Sequence, residues 1–243
     1  MEPIRNYFGF IIKLKGKTMK EGPVRLAEFE HLDDDHNLSS IETPIRIDAF
    51  SIDDVLKIEL IERSFKDIME VLGLDLSDDS LKDTPKRVAK MYVKEIFSGL
   101  DPKNKPAVTL FDNKYKYNEM LVEKSIQIYS YCEHHFVPII GKAHVAYFST
   151  GKVVGLSKIN RIVQYYSKRP QVQERLTVQI ANELKSMLQT EDVAVLIEAD
   201  HLCVASRGVQ DVNSSTVSSS YRGKFLNSNV RDEFLKYVYN NKG

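Results

Sequence analysis

Tryptophan is absent from the 243 residues, cysteine occurs only twice, and neither sign of charge is in surplus: 34 basic residues face 34 acidic ones. The charge balance argues against a general polyanion binder, because nonspecific affinity for nucleic acid comes from a basic excess. Any affinity for phosphate must therefore come from a local cluster, and no nucleic-acid partner is expected. No apolar run approaches the ~20 residues of a membrane span, so a soluble, cytoplasmic chain with no membrane partner is expected. A short apolar patch, Tyr7 to Ile12, sits between basic residues but is not followed by a secretory cleavage site, and Met19 offers an alternative start. With 42% hydrophobic and 28% charged residues, the composition is that of a globular chain holding one large domain, or one domain and an appendage.

What the chain does with its two cysteines is informative. Both sit in short motifs with histidine, Cys132-Glu133-His134-His135 and His201-Leu202-Cys203. Zinc takes thiolate and imidazole together, and a set of two thiolates and one imidazole leaves a fourth tetrahedral position for water. Cys132, His135 and Cys203 can supply that set. His134 and His201 then remain beside the metal for proton transfer near neutral pH. Three bland readings compete: a single disulfide, two buried unpaired thiols, or a closed structural zinc site with His134 or His201 as fourth ligand. Three of the chain's six histidines fall in these two motifs, which favours zinc.

Periodicity lets the two motifs meet. From Val193 the odd positions Val193, Val195, Ile197 and Ala199 are apolar, as on one face of a strand, and His201, Cys203 and Arg207 share that parity if the strand continues. Ile126 and Ile128 share parity with Cys132 in the run before the first motif, and Pro138 and Gly141 punctuate a return strand, Lys142 to Phe148. His144 within it reads as an ordinary packed or surface histidine. Upstream, Ser51 with Asp54 resembles a capping box for a helix whose stripe is Val55, Ile58, Ile61, Phe65, Ile68, Met69 and Leu72, stopped by Gly73. A second helix starts at Thr84-Pro85 and ends near Gly99, with Arg87 in its first turn, where a surface arginine is the ordinary reading.

A third helix carries Ile159, Ile162, Val163 and Tyr166 on its apolar face, with Ser157 as a candidate cap. Lys158 and Arg161 are neighbours on another face, so two cations and several backbone donors collect at one helix start. That is either a phosphate cradle or a solvated basic face. A further helix is expected from Pro170 to about Leu188, with Glu174 in its first turn, where the helix dipole alone favours a carboxylate. After the Ser/Thr-rich Asn213 to Tyr221, a strand and a last helix, Val230 to Tyr239, follow. The layout is α+β, an antiparallel sheet with helices on one face. Residues 1–50 read as a poorly ordered arm containing solvated His31 and His36, 51–120 as an N-terminal helical region, and 121–243 as the catalytic domain.

Four ordered runs make a resemblance: Cys-Glu-His-His-Phe-Val-Pro, Val-Gly-Leu-Ser-Lys-Ile-Asn-Arg-Ile-Val, Arg-Pro-Gln-Val-Gln-Glu-Arg-Leu-Thr and His-Leu-Cys-Val-Ala-Ser-Arg-Gly-Val. With Asp83-Thr84-Pro85-Lys86-Arg87-Val88, they resemble the zinc-dependent GTP cyclohydrolase I family from about Asp53 to Tyr239. The resemblance implies a tunnelling fold, whose antiparallel sheets close into a barrel across subunits of a homodecamer. It implies Zn²⁺ on Cys132, His135 and Cys203, acid–base roles for His134 and His201, and guanine recognition by Glu174. Gln173 falls at the ribose, and Ser157, Lys158, Arg161, Arg207 and Arg87 fall at positions around the ribose and triphosphate.

The implied reaction takes GTP and water, opens the guanine ring at C8, releases formate and forms 7,8-dihydroneopterin triphosphate, the first step of pterin or tetrahydrofolate synthesis. A nucleobase deaminase also uses zinc, thiolates and water, but its signature needs Pro-Cys-x-x-Cys, which this chain lacks. The remaining alternative is a zinc-stabilised GTP-binding module without turnover.

Overall fold

The computed structural model describes residue 40 and residues 42–240. Most of the arm expected over residues 1–50, His31 and His36 included, lies outside the described residues. Two helices come first, α1 (Asp54–Val71) and α2 (Thr84–Met91), the latter continuing through a π-turn over Tyr92–Ile96. The cap of α1 is Asp53, whose carboxylate accepts from the Leu56 N–H at 2.9 Å, and not the expected Ser51. At the other end Gly73, at φ +82°, closes a Schellman motif: the Gly73 N–H donates to Glu70 O and the Leu74 N–H to Met69 O. The apolar stripe of α1 is only partly covered. Met69 is buried, but Val55, Ile68 and Leu72 are exposed.

The body is a five-stranded sheet in the order β5-β2-β3-β6-β7, built from β2 (Leu121–Cys132), β3 (Pro138–Tyr147), β5 (Pro170–Gln171), β6 (Val193–His201) and β7 (Thr216–Tyr221). All neighbours are antiparallel except β5, which pairs parallel with Tyr131 and Cys132 of β2. A separate ribbon pairs β1 (Leu110–Asp112) with β4 (Lys152–Val154). Between β4 and β6 the chain crosses one sheet face as α3 (Leu156–Ser167) and α4 (Gln173–Leu188). The expected parity holds there. Ile126, Ile128, Cys132, Val193, Val195, Ile197 and Ala199 point into one core with Ile159, Ile162, Leu176, Ile180 and Leu184.

Three expectations are corrected. Helices are not confined to one face, because α6 (Ser228–Tyr239) packs Phe234 and Val238 on the opposite parity, Ala146, Ala194 and Leu196. The residue preceding α3 is Gly155, so Ser157 lies inside the first turn. Helix α4 starts at Gln173, since Pro170 and Gln171 are drawn into β5.

Two features of β3 fix how its ends are presented. At Gly141 an added Cβ would lie 2.2 Å from the Glu198 carbonyl oxygen of β6, so the close β3–β6 approach requires glycine. Near its far end, Lys124 and Ser125 of β2 oppose the single residue His144, a bulge with Ser125 at φ +60°. The Ser125 N–H donates to the Nδ1 of buried His144 at 3.3 Å. Residues of the helical region also dock on the body: the Gly99 N–H donates to Lys168 O, and buried Arg169 returns an Nε–H to Gly99 O while stacking on Tyr165 and Tyr166.

Candidate metal centre and active site

Strand β2 ends at Cys132, and a tight turn returns the chain: the Phe136 N–H donates to Cys132 O, the Cys132 N–H to Val137 O. This corner carries Glu133, His134 and His135. Two strands away, β6 stops at His201 and the chain enters a helical turn, α5 (Leu202–Ala205), so the expected strand continuation to Cys203 does not occur. The turn still delivers Cys203 to the corner. One ligand atom each from Cys132, His135 and Cys203 lies within 4.8 Å of the others.

The donor set suits zinc. Ligand atoms on a tetrahedral zinc sit about 3.3–3.8 Å apart, from Zn–N and Zn–S lengths near 2.0–2.3 Å. Cys132 Sγ is 3.8 Å from His135 Nδ1. Cys132 is buried and Cys203 half-buried. Burial, and then the adjacent Cys132, push the Cys203 thiol up to about 11.

The other expected residues divide into two groups. Around the corner, His134 Nδ1 lies 3.7 Å from Cys132 Sγ and Arg207 Nη1 2.8 Å from His135 Nε2. His201 Nε2 contacts Gln173 Oε1 at 2.8 Å. Burial holds the His201 pKa below its ordinary value, against the opposing pull of Glu174 and Asp200. Glu174, in the first turn of α4, is exposed. In the second group, Ser157 and Arg161 are exposed on α3 and Arg87 is exposed on α2. Arg161 lines a cleft of about 460 Å³ with Lys94, Tyr165 and Lys168, and no residue of the cysteine corner borders it. Among the described residues, no hydrogen bond or ion pair links Arg87, Ser157, Lys158 or Arg161 to Cys132, His135 or Cys203.

One contact at the centre was not anticipated from sequence. Arg175 of α4, its side chain 3% exposed, is ion-paired with Glu133. Its Nε–H donates to Gln171 Oε1 at 3.0 Å, and Gln171 in turn donates to Gln179 Oε1 at 2.9 Å. Arg175 and Gln179 lie one turn apart on α4 beside its apolar stripe, the sequence hint of a buried polar seam, and Gln171 joins them from β5.

Comparison with known proteins gives the chain a family. The family model described as GTP cyclohydrolase I matches residues 61–239. A GTP cyclohydrolase 1 of Flavobacterium johnsoniae is 58% identical over 209 residues, covering 86% of this chain and 94% of that protein. Those of Erwinia tasmaniensis and Citrobacter koseri are each 52% identical over 199 residues, covering 82% of this chain and 90% of theirs. A match this long, across helices, sheet and cysteine corner alike, places the chain in the GTP cyclohydrolase I family.

Proposed function

We propose that the chain is a GTP cyclohydrolase: GTP and one water become formate and 7,8-dihydroneopterin triphosphate, with the phosphates kept intact. The observation that carries this is the convergence of Cys132, His135 and Cys203 beside His134, His201 and Arg207, within a chain 58% identical to a GTP cyclohydrolase 1. Zinc held by the two thiolates and the imidazole would supply a Lewis acid and a water acidic enough to attack C8 near neutral pH.

The residues around that centre have separable tasks. His134 and His201 exchange protons with the ring nitrogens as the C8 bonds break. Glu174 accepts hydrogen bonds from guanine N1–H and the exocyclic amine, a donor pair that adenine does not present. Ser157, Lys158, Arg161, Arg207 and Arg87 hold the ribose and triphosphate, binding and orienting without cleaving. Arg207 has a further feature. Its contact with His135 Nε2 needs a bare nitrogen there, whereas ligation through Nδ1 puts the proton on Nε2. With a metal held through Nδ1, the Arg207 guanidinium would lose this acceptor and would be available to an anion.

The separation of Arg87 and Arg161 from the corner supports a pocket shared between copies of the chain. So do the exposed apolar residues of α1, of β2 where the two-residue β5 does not cover it, and of the edge strand β7, with Tyr129 and Val217 both exposed. A barrel of such sheets in a homodecamer gives those edges partners. The deciding experiment is formate release from GTP by zinc-loaded protein. GTP binding without formate would make the chain a zinc-stabilised binding module.

A further inference from the structure

Gln173 opens α4, yet it is only 1% exposed. A polar side chain so buried must be hydrogen-bonded at both ends, and here it is. Its Nε2 lies 3.2 Å from Ile197 O, 2.9 Å from Thr216 O and 3.0 Å from Ser218 Oγ. Two of these partners are backbone carbonyls, which only accept, so this end of the amide is its NH₂. The opposite end is therefore the oxygen, 2.8 Å from His201 Nε2. An amide oxygen also only accepts. His201 Nε2 must carry a hydrogen, and in the neutral ring Nδ1 is then the one basic nitrogen.

Thr177 and Ser218 make this orientation hard to reverse. Thr177 Oγ1 donates to Gln173 O at 2.8 Å, which uses its only hydrogen. The 2.7 Å contact between Thr177 and Ser218 must then be a bond from Ser218. Ser218 thus accepts from Gln173 and donates to Thr177. Flipping the Gln173 amide would set its oxygen against two carbonyls and its NH₂ against a ring nitrogen.

We infer that Gln173 is a positioning residue that fixes the tautomer and ring rotation of His201, and that it acts through this histidine and not by touching the ribose. The inference rests on the reading that His201 moves a proton during turnover. A general base must offer a lone pair on the correct nitrogen, and a carbonyl-anchored amide settles which nitrogen that is before substrate arrives.

Neutron diffraction from the zinc-loaded wild-type protein at a pH of about 8 tests the tautomer without reference to activity. Deuterium on His201 Nε2, aimed at Gln173 Oε1, is expected; deuterium on Nδ1 alone overturns the proposal. Gln173→Met, nearly isosteric and unable to hydrogen-bond, tests the consequence. Loss of the His201 contact should cost about 10–100-fold, by analogy with hydrogen-bond partners that orient metal-binding histidines, and it should fall on kcat with KM for GTP within about threefold. A deficit carried by KM, or accompanied by lost zinc or altered assembly, would overturn the positioning role. Ser218→Ala, which spares the His201 contact, should keep most of the activity; a loss as deep as that of Gln173→Met counts against it. Full activity in His201→Ala would instead sink the proton-transfer reading, whatever tautomer the neutron map shows.

Discussion

Arg175 of α4 and Glu133 of the cysteine corner form an ion pair from which the guanidinium cannot withdraw into water: its side chain is 3% exposed, and Gln171 holds its Nε–H at 3.0 Å. The corner is thereby clamped to the helix that also carries Gln173 and Glu174. Removing one partner strands the other charge, so Arg175→Met should destabilise the protein by about 2–4 kcal/mol and weaken zinc retention. The double variant Glu133→Gln/Arg175→Met, which leaves neither charge, should recover much of that loss. Urea unfolding of the single and double variants, with zinc content, makes the measurement; equal losses in both would mean that the pair does not matter as a pair.

Zinc should be present at one ion per chain. Cys203→Ser should lose both metal and turnover, because it breaks a three-ligand set that has no spare thiol. A variant that keeps its zinc and loses activity would remove Cys203 from the ligand set. Turnover by rigorously metal-free protein would sink the mechanism.

For base selection, Glu174→Ala leaves two guanine donors unpaired, which costs about 1–3 kcal/mol or more. GTP turnover should fall by at least about fivefold, with zinc content and oligomer size unchanged, as steady-state kinetics, metal analysis and light scattering would show. Normal GTP turnover would return Glu174 to an ordinary helix-start carboxylate.

His144 predicts an acid limit on stability. Burial, aided by Lys142 and Lys124, holds its folded pKa below the ordinary value of about 6.5. The unfolded chain therefore takes a proton that the folded chain refuses. Stability should be fully present above about pH 6.5 and decline as the pH falls from there through the folded pKa. In His144→Gln, which keeps an acceptor for the Ser125 N–H, the decline between pH 7.5 and 5.5 should be shallower than in wild type. Parallel slopes in urea titrations would discard the assignment.

Mixed oligomers test whether pockets are shared. Arg87 is exposed on α2, and among the described residues no hydrogen bond or ion pair joins it to Cys132, His135 or Cys203. If Arg87→Ala and Cys203→Ser are each inactive, assemblies containing both should regain partial formate release, because some pockets then unite an intact Arg87 with an intact Cys203 from another chain. Purified mixed assemblies of native size and zinc content that stay inactive would rule out this division.

Much of this protein is legible along the chain. Rare residues in tight motifs announce the candidate metal centre, since a metal needs its ligands together and two of the three candidates lie in one corner. Strand parity placed Ile126, Ile128, Cys132 and Val193 to Ala199 in the core, because alternation records which side of a sheet a residue faces. What parity could not carry was the end of β6, where a helical turn and not a strand delivers Cys203. Nor could it place α6 on the second face, which depends on where the chain returns after β7. The Arg175–Glu133 clamp and the Gln173–His201 bond join residues 42 and 28 positions apart. Such contacts exist only once α4 is laid across the sheet at one register. Local chemistry determined which side chains the protein owns and which face each occupies, while tertiary packing decided which of them share a hydrogen, because that depends on ångström distances between elements remote in sequence.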